Sequence, residues 1–448
     1  MFKRPTSLKM VFGAGIAAAL FASLLPVAQA QIPDTRIFLP TTPITPTGNL
    51  LFDPVTNLLF GTTQGDGASS FGNVYSVNPH VGTSSLSTVY TFSGGTSDGG
   101  IPGGGVISDV SGNLFGTTTT GGANTFGDVF ELAKTNTGYA YHDLYDFAAN
   151  EVAAGELSLY GGHLYGVANT GGAGGAGAPG TVFEVLDPYA STASPSNGVT
   201  LYDFSPTSAT GPGGGIGGGV AVTSNPGGGV TLFGTLQTGL NGSGNGGIFS
   251  LTVTNPDSPV GTVSINDVYD FTGQGSGDGT GPTGTPVLAY GNLYGSTYSG
   301  GVNGTGSIYQ ISNATGLTPT EQTLYSFSAS GAYDGSAPAN SLILGDALTL
   351  MGTTSQGGNG YGTAWSYFIP GGQFSTLLGF NGTTDGGASY SGLTEIQPGI
   401  FAGVNTSGGN GNGVLFIITP EPGSYATMLI GALSLGGFAA RRRRRQAK

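Results

Sequence analysis

One unit returns seven times along this chain of 448 residues, and that return limits what the chain can fold into. Its clearest copy spans residues 292–327. NLYGST leads into a Gly-rich turn, SGGVNGTG, then SIYQI, a polar spacer and TLYSF. The marker is a large apolar residue followed by glycine. The marker glycines are Gly61, Gly116, Gly166, Gly234, Gly295, Gly352 and, in a looser copy, Gly403, at spacings of 55, 50, 68, 61, 57 and 51. Each marker is followed by a second piece such as NVYSV (73–77) or DVFEL (128–132). In six copies a third follows, such as LYDF (144–147) or VYDF (268–271). A Gly-bordered apolar piece such as GGVISD (104–109) or NSLILG (340–345) precedes the marker.

Each piece alternates apolar with small or polar residues, the period of a half-buried strand. Four short strands at a period of about 40–50 residues or more is the pattern of propeller blades. One blade cannot bury both faces alone, so blades must pack on one another. The expected fold is all-β: a β-propeller of about seven four-stranded blades over residues 31–418, flanked by an N-terminal signal helix and a C-terminal transmembrane helix. Six or eight blades, or a β-solenoid, are the alternatives. The seventh copy lacks its third piece because the chain leaves for the tail after Ile418. RIFL (36–39) lies where a third piece would precede the first blade, so it is the expected closing strand. Glycines in the turns permit positive φ. After the marker, a missing side chain is expected to let a neighbouring sheet approach closely.

The unit LYGTT, Gly-rich turn, GxVFxL, LYxF resembles the tandem GloVer repeats of secreted bacterial proteins with variable anchors, over about residues 48–418. The resemblance implies a repeat architecture and carries no activity with it.

The two ends differ from the middle. Nine of the 11 basic residues lie in the terminal segments: Lys3, Arg4, Lys9, Arg441 to Arg445 and Lys448. Lys3, Arg4 and Lys9, the apolar run 10–25 and the small residues Ala28 and Ala30 read as a signal peptide over residues 1–30, cleaved before Gln31. At the other end, Pro420, Glu421 and Pro422 precede an apolar run over 424–440. That run is at the short limit for a membrane span, and Arg441, Arg442, Arg443, Arg444 and Arg445 close it. Prolines keep such a segment extended and open to a protease. The order of these elements over 419–448 resembles the PEP-CTERM sorting signal. That resemblance implies recognition of Pro420, Glu421 and Pro422 by an exosortase, a Gram-negative host that makes exopolysaccharide, and a cell-surface or extracellular destination. A plain uncut anchor is the alternative.

The net charge is −13, but the middle is more acidic than that. Twenty-three of the 24 acids fall between Asp34 and Glu395, against Arg36 and Lys134. Such a surface repels nucleic acid and anionic membrane and tolerates neutral glycans and divalent cations. The absence of cysteine excludes disulfides, thiolate metal sites and cysteine nucleophiles. His80, His142 and His163 fall in different copies, with no metal-ligand spacing. An Asp-Gly pair recurs after the third piece, at Asp98, Asp278, Asp334 and Asp385, and reads as turn chemistry. Calcium is the alternative cofactor there, since acidic Gly-rich loops offer oxygen ligands. Tyrosines and Trp365 read as packing residues rather than sugar platforms.

No catalytic constellation stands out. The expected function is a surface-displayed or matrix-released repeat protein with a structural or adhesive role. Its expected partners are an exosortase, the export machinery and polysaccharide, and it is expected to be a monomer. The alternative is a secreted propeller enzyme acting on a glycan or other polymer, which would need paired carboxylates converging in the propeller mouth.

Overall fold

The computed structural model describes residues 36–38 and 45–419, apart from short segments at 66–69, 82–84, 173–174, 176–177, 190–196, 205–214, 226–227, 241–243, 255, 257–261, 317, 329–333, 339 and 409–412. The expected signal helix and transmembrane helix lie outside these residues. Among the described residues there is no α-helix, and no helix is long and apolar enough to cross a membrane.

The sheets are seven antiparallel meanders, one per copy of the unit. Blades 1 to 6 occupy residues 46–91, 99–146, 152–203, 221–270, 279–326 and 343–379. Blade 7 takes three strands from 394–418 and its fourth from Arg36–Phe38, which pairs with Val414–Ile418 in the register Arg36↔Phe416, Ile37↔Leu415, Phe38↔Val414. The ring is therefore closed by the expected strand, one residue shorter than expected. In blade 2 the innermost strand is broken into Gly99–Pro102 and Ile107–Ser108, both paired with Leu114–Gly121.

The marker glycine has a different job from the expected one. In every blade it lies directly across from the central aromatic of the next strand: Gly61↔Tyr75, Gly116↔Phe130, Gly166↔Phe183, Gly234↔Phe249, Gly295↔Tyr309, Gly352↔Trp365 and Gly403↔Phe416. A Cβ at Gly116 would stand 2.6 Å from the Phe130 ring, and one at Gly352 2.7 Å from the Trp365 ring. The glycine thus makes room for an aromatic of its own blade, which lies flat over it.

That aromatic then meets the preceding blade. The closing Phe of each LYxF piece packs on it: Phe92 on Phe130, Phe147 on Phe183, Phe204 on Phe249, Phe271 on Tyr309, Phe327 on Trp365 and Phe380 on Phe416. Ring centroids are 5.0–5.6 Å apart, the tilted or edge-on geometry that aromatic pairs favour. The first residue of each LYxF piece is a β-bulge: Val89, Leu144, Leu201, Val268, Leu324 and Leu377 have no partner on the neighbouring strand. Strict alternation would not bury both Leu144 and Phe147, three residues apart, and the bulge resets it. The core is consequently divided. Six apolar clusters each fill one interface between consecutive blades, from blades 1–2 through blades 6–7.

The threonine after the marker also reaches outward. Thr62 donates to Gly104 O at 2.8 Å, Thr235 to Gly284 O at 3.3 Å and Thr353 to Ser391 O at 2.8 Å, each on the next blade, in or beside its innermost strand.

Candidate functional site

Residues in or just before the innermost strands of blades 1 to 6, together with Tyr390 of the link into blade 7, line a cavity of about 170 Å³ on the propeller axis. In an antiparallel meander the start of the innermost strand, the end of the second and the link to the next blade share one end, and Tyr390 of the cavity wall lies in such a link. Its wall is mostly glycine backbone: Gly48, Gly103, Gly104, Gly155, Gly217 to Gly219 and Gly284. These glycines are where neighbouring blades touch. A Cβ on Gly104 would stand 2.5 Å from Gly155 O, and one on Gly155 2.7 Å from Gly219 N. One on Gly218 would fall on the main chain of Gly284, and one on Gly284 on that of Ser341. Only bare backbone lets seven strands come this close.

Among the described residues a single side-chain charge enters the cavity wall, that of Glu156 in blade 3. Blade 2 presents only Gly103 to Gly105 at this level, so Glu156 reaches past it to blade 1, where Asn49 N–H donates to Oε1 at 2.9 Å. The Asn49 side chain accepts in turn from Gly392 N–H of blade 7. Thr285 N–H donates to Ser341 Oγ at 2.9 Å, joining blades 5 and 6. Burial pushes the Glu156 carboxyl above the usual range, while the hydrogen bonds from Asn49 pull it back. Tyr390, 54% exposed, stands at the cavity edge.

The Asp-Gly pairs form a second recurrent feature. Asp98 accepts from Ser93 N–H at 2.8 Å and Ser93 Oγ at 2.7 Å. Asp278 accepts from Tyr269 Oη at 2.9 Å and Thr272 N–H at 2.8 Å, and Asp334 from Tyr325 Oη at 2.7 Å and Ser328 N–H at 2.9 Å. The buried carboxylate ties the Tyr of one LYxF piece to the link leading into the next blade. Asp385 departs from this pattern because Leu378 replaces the tyrosine. There Asn381 holds the turn, accepting from Thr383 and Asp385 N–H. Among the described residues no three His, Asp or Glu side chains are grouped to hold a metal ion.

His80, His142 and His163 lie in blades 1, 2 and 3. His163 Nδ1 is 3.1 Å from Glu184 Oε1. Trp365 is fully buried under Phe327. Ala28, Ala30, Gln31, Pro420, Glu421, Pro422 and Arg441 to Arg445 lie outside the described residues. Sequence reasoning missed Glu156 and Asn49. Aligning the innermost strands on the core residues that follow gives Asn49, Gly105, Glu156, Gly219, Thr285, Ser341 and Gly392 at one position, and the lone acid in that column was the available signal.

Residues 227–438 match the model of the Gloeobacter/Verrucomicrobia repeat, somewhat less than half of the chain. No curated protein matches. Among solved structures, puromycin hydrolase is similar at 11% identity and a TM-score of 0.48, over 80% of this chain. This chain spans about half the length of that enzyme, 50%. A putative 6-phosphogluconolactonase from Bacteroides uniformis is similar at 10% identity and a TM-score of 0.47, over 78% of this chain and 88% of that one. Its counterpart from Bacteroides fragilis gives 10%, 0.46, 84% and 90%. The fold assignment rests on the strand pairing described above. The chain is an all-β, seven-bladed propeller built of tandem repeats, the latter half of which matches the Gloeobacter/Verrucomicrobia repeat.

Proposed function

We propose that this propeller is an exported bacterial repeat protein, displayed at the cell surface or released into the matrix, with a structural or adhesive role. In this reading an exosortase recognises Pro420, Glu421 and Pro422, and residues 424–440 with Arg441 to Arg445 hold the tail in the membrane until it is cut. The observation that carries the binding role is the make-up of the axial cavity. Its described lining is backbone and neutral side chains from seven blades around the single carboxylate of Glu156. That suits holding a ligand and differs from the paired carboxylates of glycoside cleavage. The order of charge, span and prolines at the two ends supports export and sorting.

Intact mass of the protein from its own host, taken separately from membrane and medium, tests the sorting. A mature chain beginning at Gln31 and ending near Pro420 is expected. A chain that keeps 424–448 in the membrane would make it a simple anchored propeller and overturn the exosortase reading.

A further inference from the structure

We propose that the axial cavity and the tyrosines around its mouth form a binding site for a neutral saccharide, one sugar unit entering the cavity and the following units lying across blades 5 to 7. This deepens the matrix role proposed above. Three observations carry it. The cavity is larger than one water requires and smaller than a drug-sized pocket, a scale that suits a single sugar ring. Its wall offers more polar than apolar surface: glycine amides and carbonyls, the hydroxyl-bearing Thr285 and Ser341, and the carboxyl of Glu156. Sugar hydroxyls both donate and accept, so such a wall can meet them from several sides.

The third observation is the placement of exposed aromatics. Tyr390 edges the cavity in the link into blade 7, Tyr361 lies in the turn before the third strand of blade 6, and Tyr298 lies near the end of the second strand of blade 5. By the chain direction all three lie at the same end of the ring, the end at which Tyr390 edges the cavity. They are 54%, 47% and 41% exposed, so ring faces remain open to solvent. Gln356 Nε2 of blade 6 donates to Tyr298 Oη at 3.4 Å, and the Tyr361 ring lies over Gly382, which holds these rings in place. Amphipathic rings of this kind stack on the C–H faces of sugars while their hydroxyls stay wet. Charge selects within the class. Glu156 in the cavity, set in a chain middle with 23 acids against two bases, disfavours uronates and phosphorylated sugars.

Titration calorimetry of the full chain with maltohexaose, cellohexaose, mannohexaose and a guluronate hexamer tests the site. At least one neutral hexamer is expected to bind with a Kd of about 1 mM or tighter, and the guluronate hexamer is not. Tyr390→Ala and Glu156→Gln should each weaken that binding about tenfold, about 1.4 kcal/mol. Tyr290→Ala, 81% exposed at the opposite end of blade 5, should leave it unchanged. Glutamine can still accept from Asn49 N–H, and Tyr390 is at the surface, so both test variants retain the fold's contacts. Binding of no neutral hexamer, equal binding of the guluronate hexamer, or unaltered binding in both test variants would overturn the proposal. This test and the mass measurement fail independently, because neither cavity nor tyrosines depend on how the tail is processed.

Discussion

The carboxyl of Asp128 accepts from Tyr141 Oη at 2.5 Å and from Thr118 Oγ1 at 2.8 Å, and it has no exposure to solvent. Burial pushes it up to about 7, the two hydroxyls pull against that, and the nearby charges of Asp143 and Asp146 add to it. An unfolded Asp titrates near about 3.9, so between about pH 4 and about pH 7 the folded chain keeps a proton that the unfolded chain releases. The contribution is fully present below about pH 4 and is lost as pH rises through the folded value. Its size is on the order of 4 kcal/mol. Asp128→Asn is neutral throughout, so urea unfolding at about pH 4 and about pH 8 should show a smaller loss of stability in the variant. An equal loss in both chains would place the pH dependence elsewhere. Nothing in the sequence marks Asp128. The same place holds Asn73, Thr181, Gly247, Ser307 and Thr363 in other blades, and its partner Tyr141 lies on the next strand. Glu156 was hidden for a related reason: its partner Asn49 is 107 residues away, across the ring. Repetition reveals positions that all blades share, and these two acids each belong to one blade.

At the level of the strand, repetition made almost everything legible. The marker, the aromatic opposite it and the LYxF piece sit at offsets fixed by register, so each strand of a blade appeared as a recurring string. The closing strand was legible by subtraction, since the seventh copy lacked a strand and RIFL stood spare. What the strings did not show was the reason for the marker glycine, because cross-strand pairing is a contact between residues about 13 to 17 apart in sequence. The closing strand has its own test. Directly paired antiparallel residues have Cα atoms about 4.5–5.5 Å apart, within disulfide reach. The chain has no cysteine, so Ile37→Cys with Leu415→Cys should oxidise to one internal cross-link that shifts gel mobility until reduced. Ile37→Cys with Phe416→Cys joins positions one step out of register and should not cross-link. Reversed results would mean a register slip.

Over the ring, apolar clusters fill six interfaces between consecutive blades, whereas the described lining at the axis is mostly glycine backbone. What happens there is decided by backbone meeting backbone. Gly218→Ala introduces a methyl against the Gly284 main chain, which cannot yield without shifting blade 5, and should cost roughly 2–3 kcal/mol. Gly161→Ala, at φ +64 with nothing within 4 Å, carries only conformational strain and should cost about 1 kcal/mol. Chemical denaturation of the two variants separates crowding at the axis from backbone strain. Equal costs would show that the blades do not meet at the axis as tightly as described.

The closure of blade 7 also determines how the molecule would bear load. The chain leaves the propeller through Val414–Ile418, and this strand is flanked on one side by Ile400–Asn405 and on the other by Arg36–Phe38. A pull applied from residue 419 therefore enters a strand gripped from both sides. An edge strand would peel away one rung at a time, whereas this one yields only when two ladders slide together. The Arg36–Phe38 strand thus acts as a latch over Val414–Ile418, and a tether attached beyond Ile418 would be anchored in the sheet's interior.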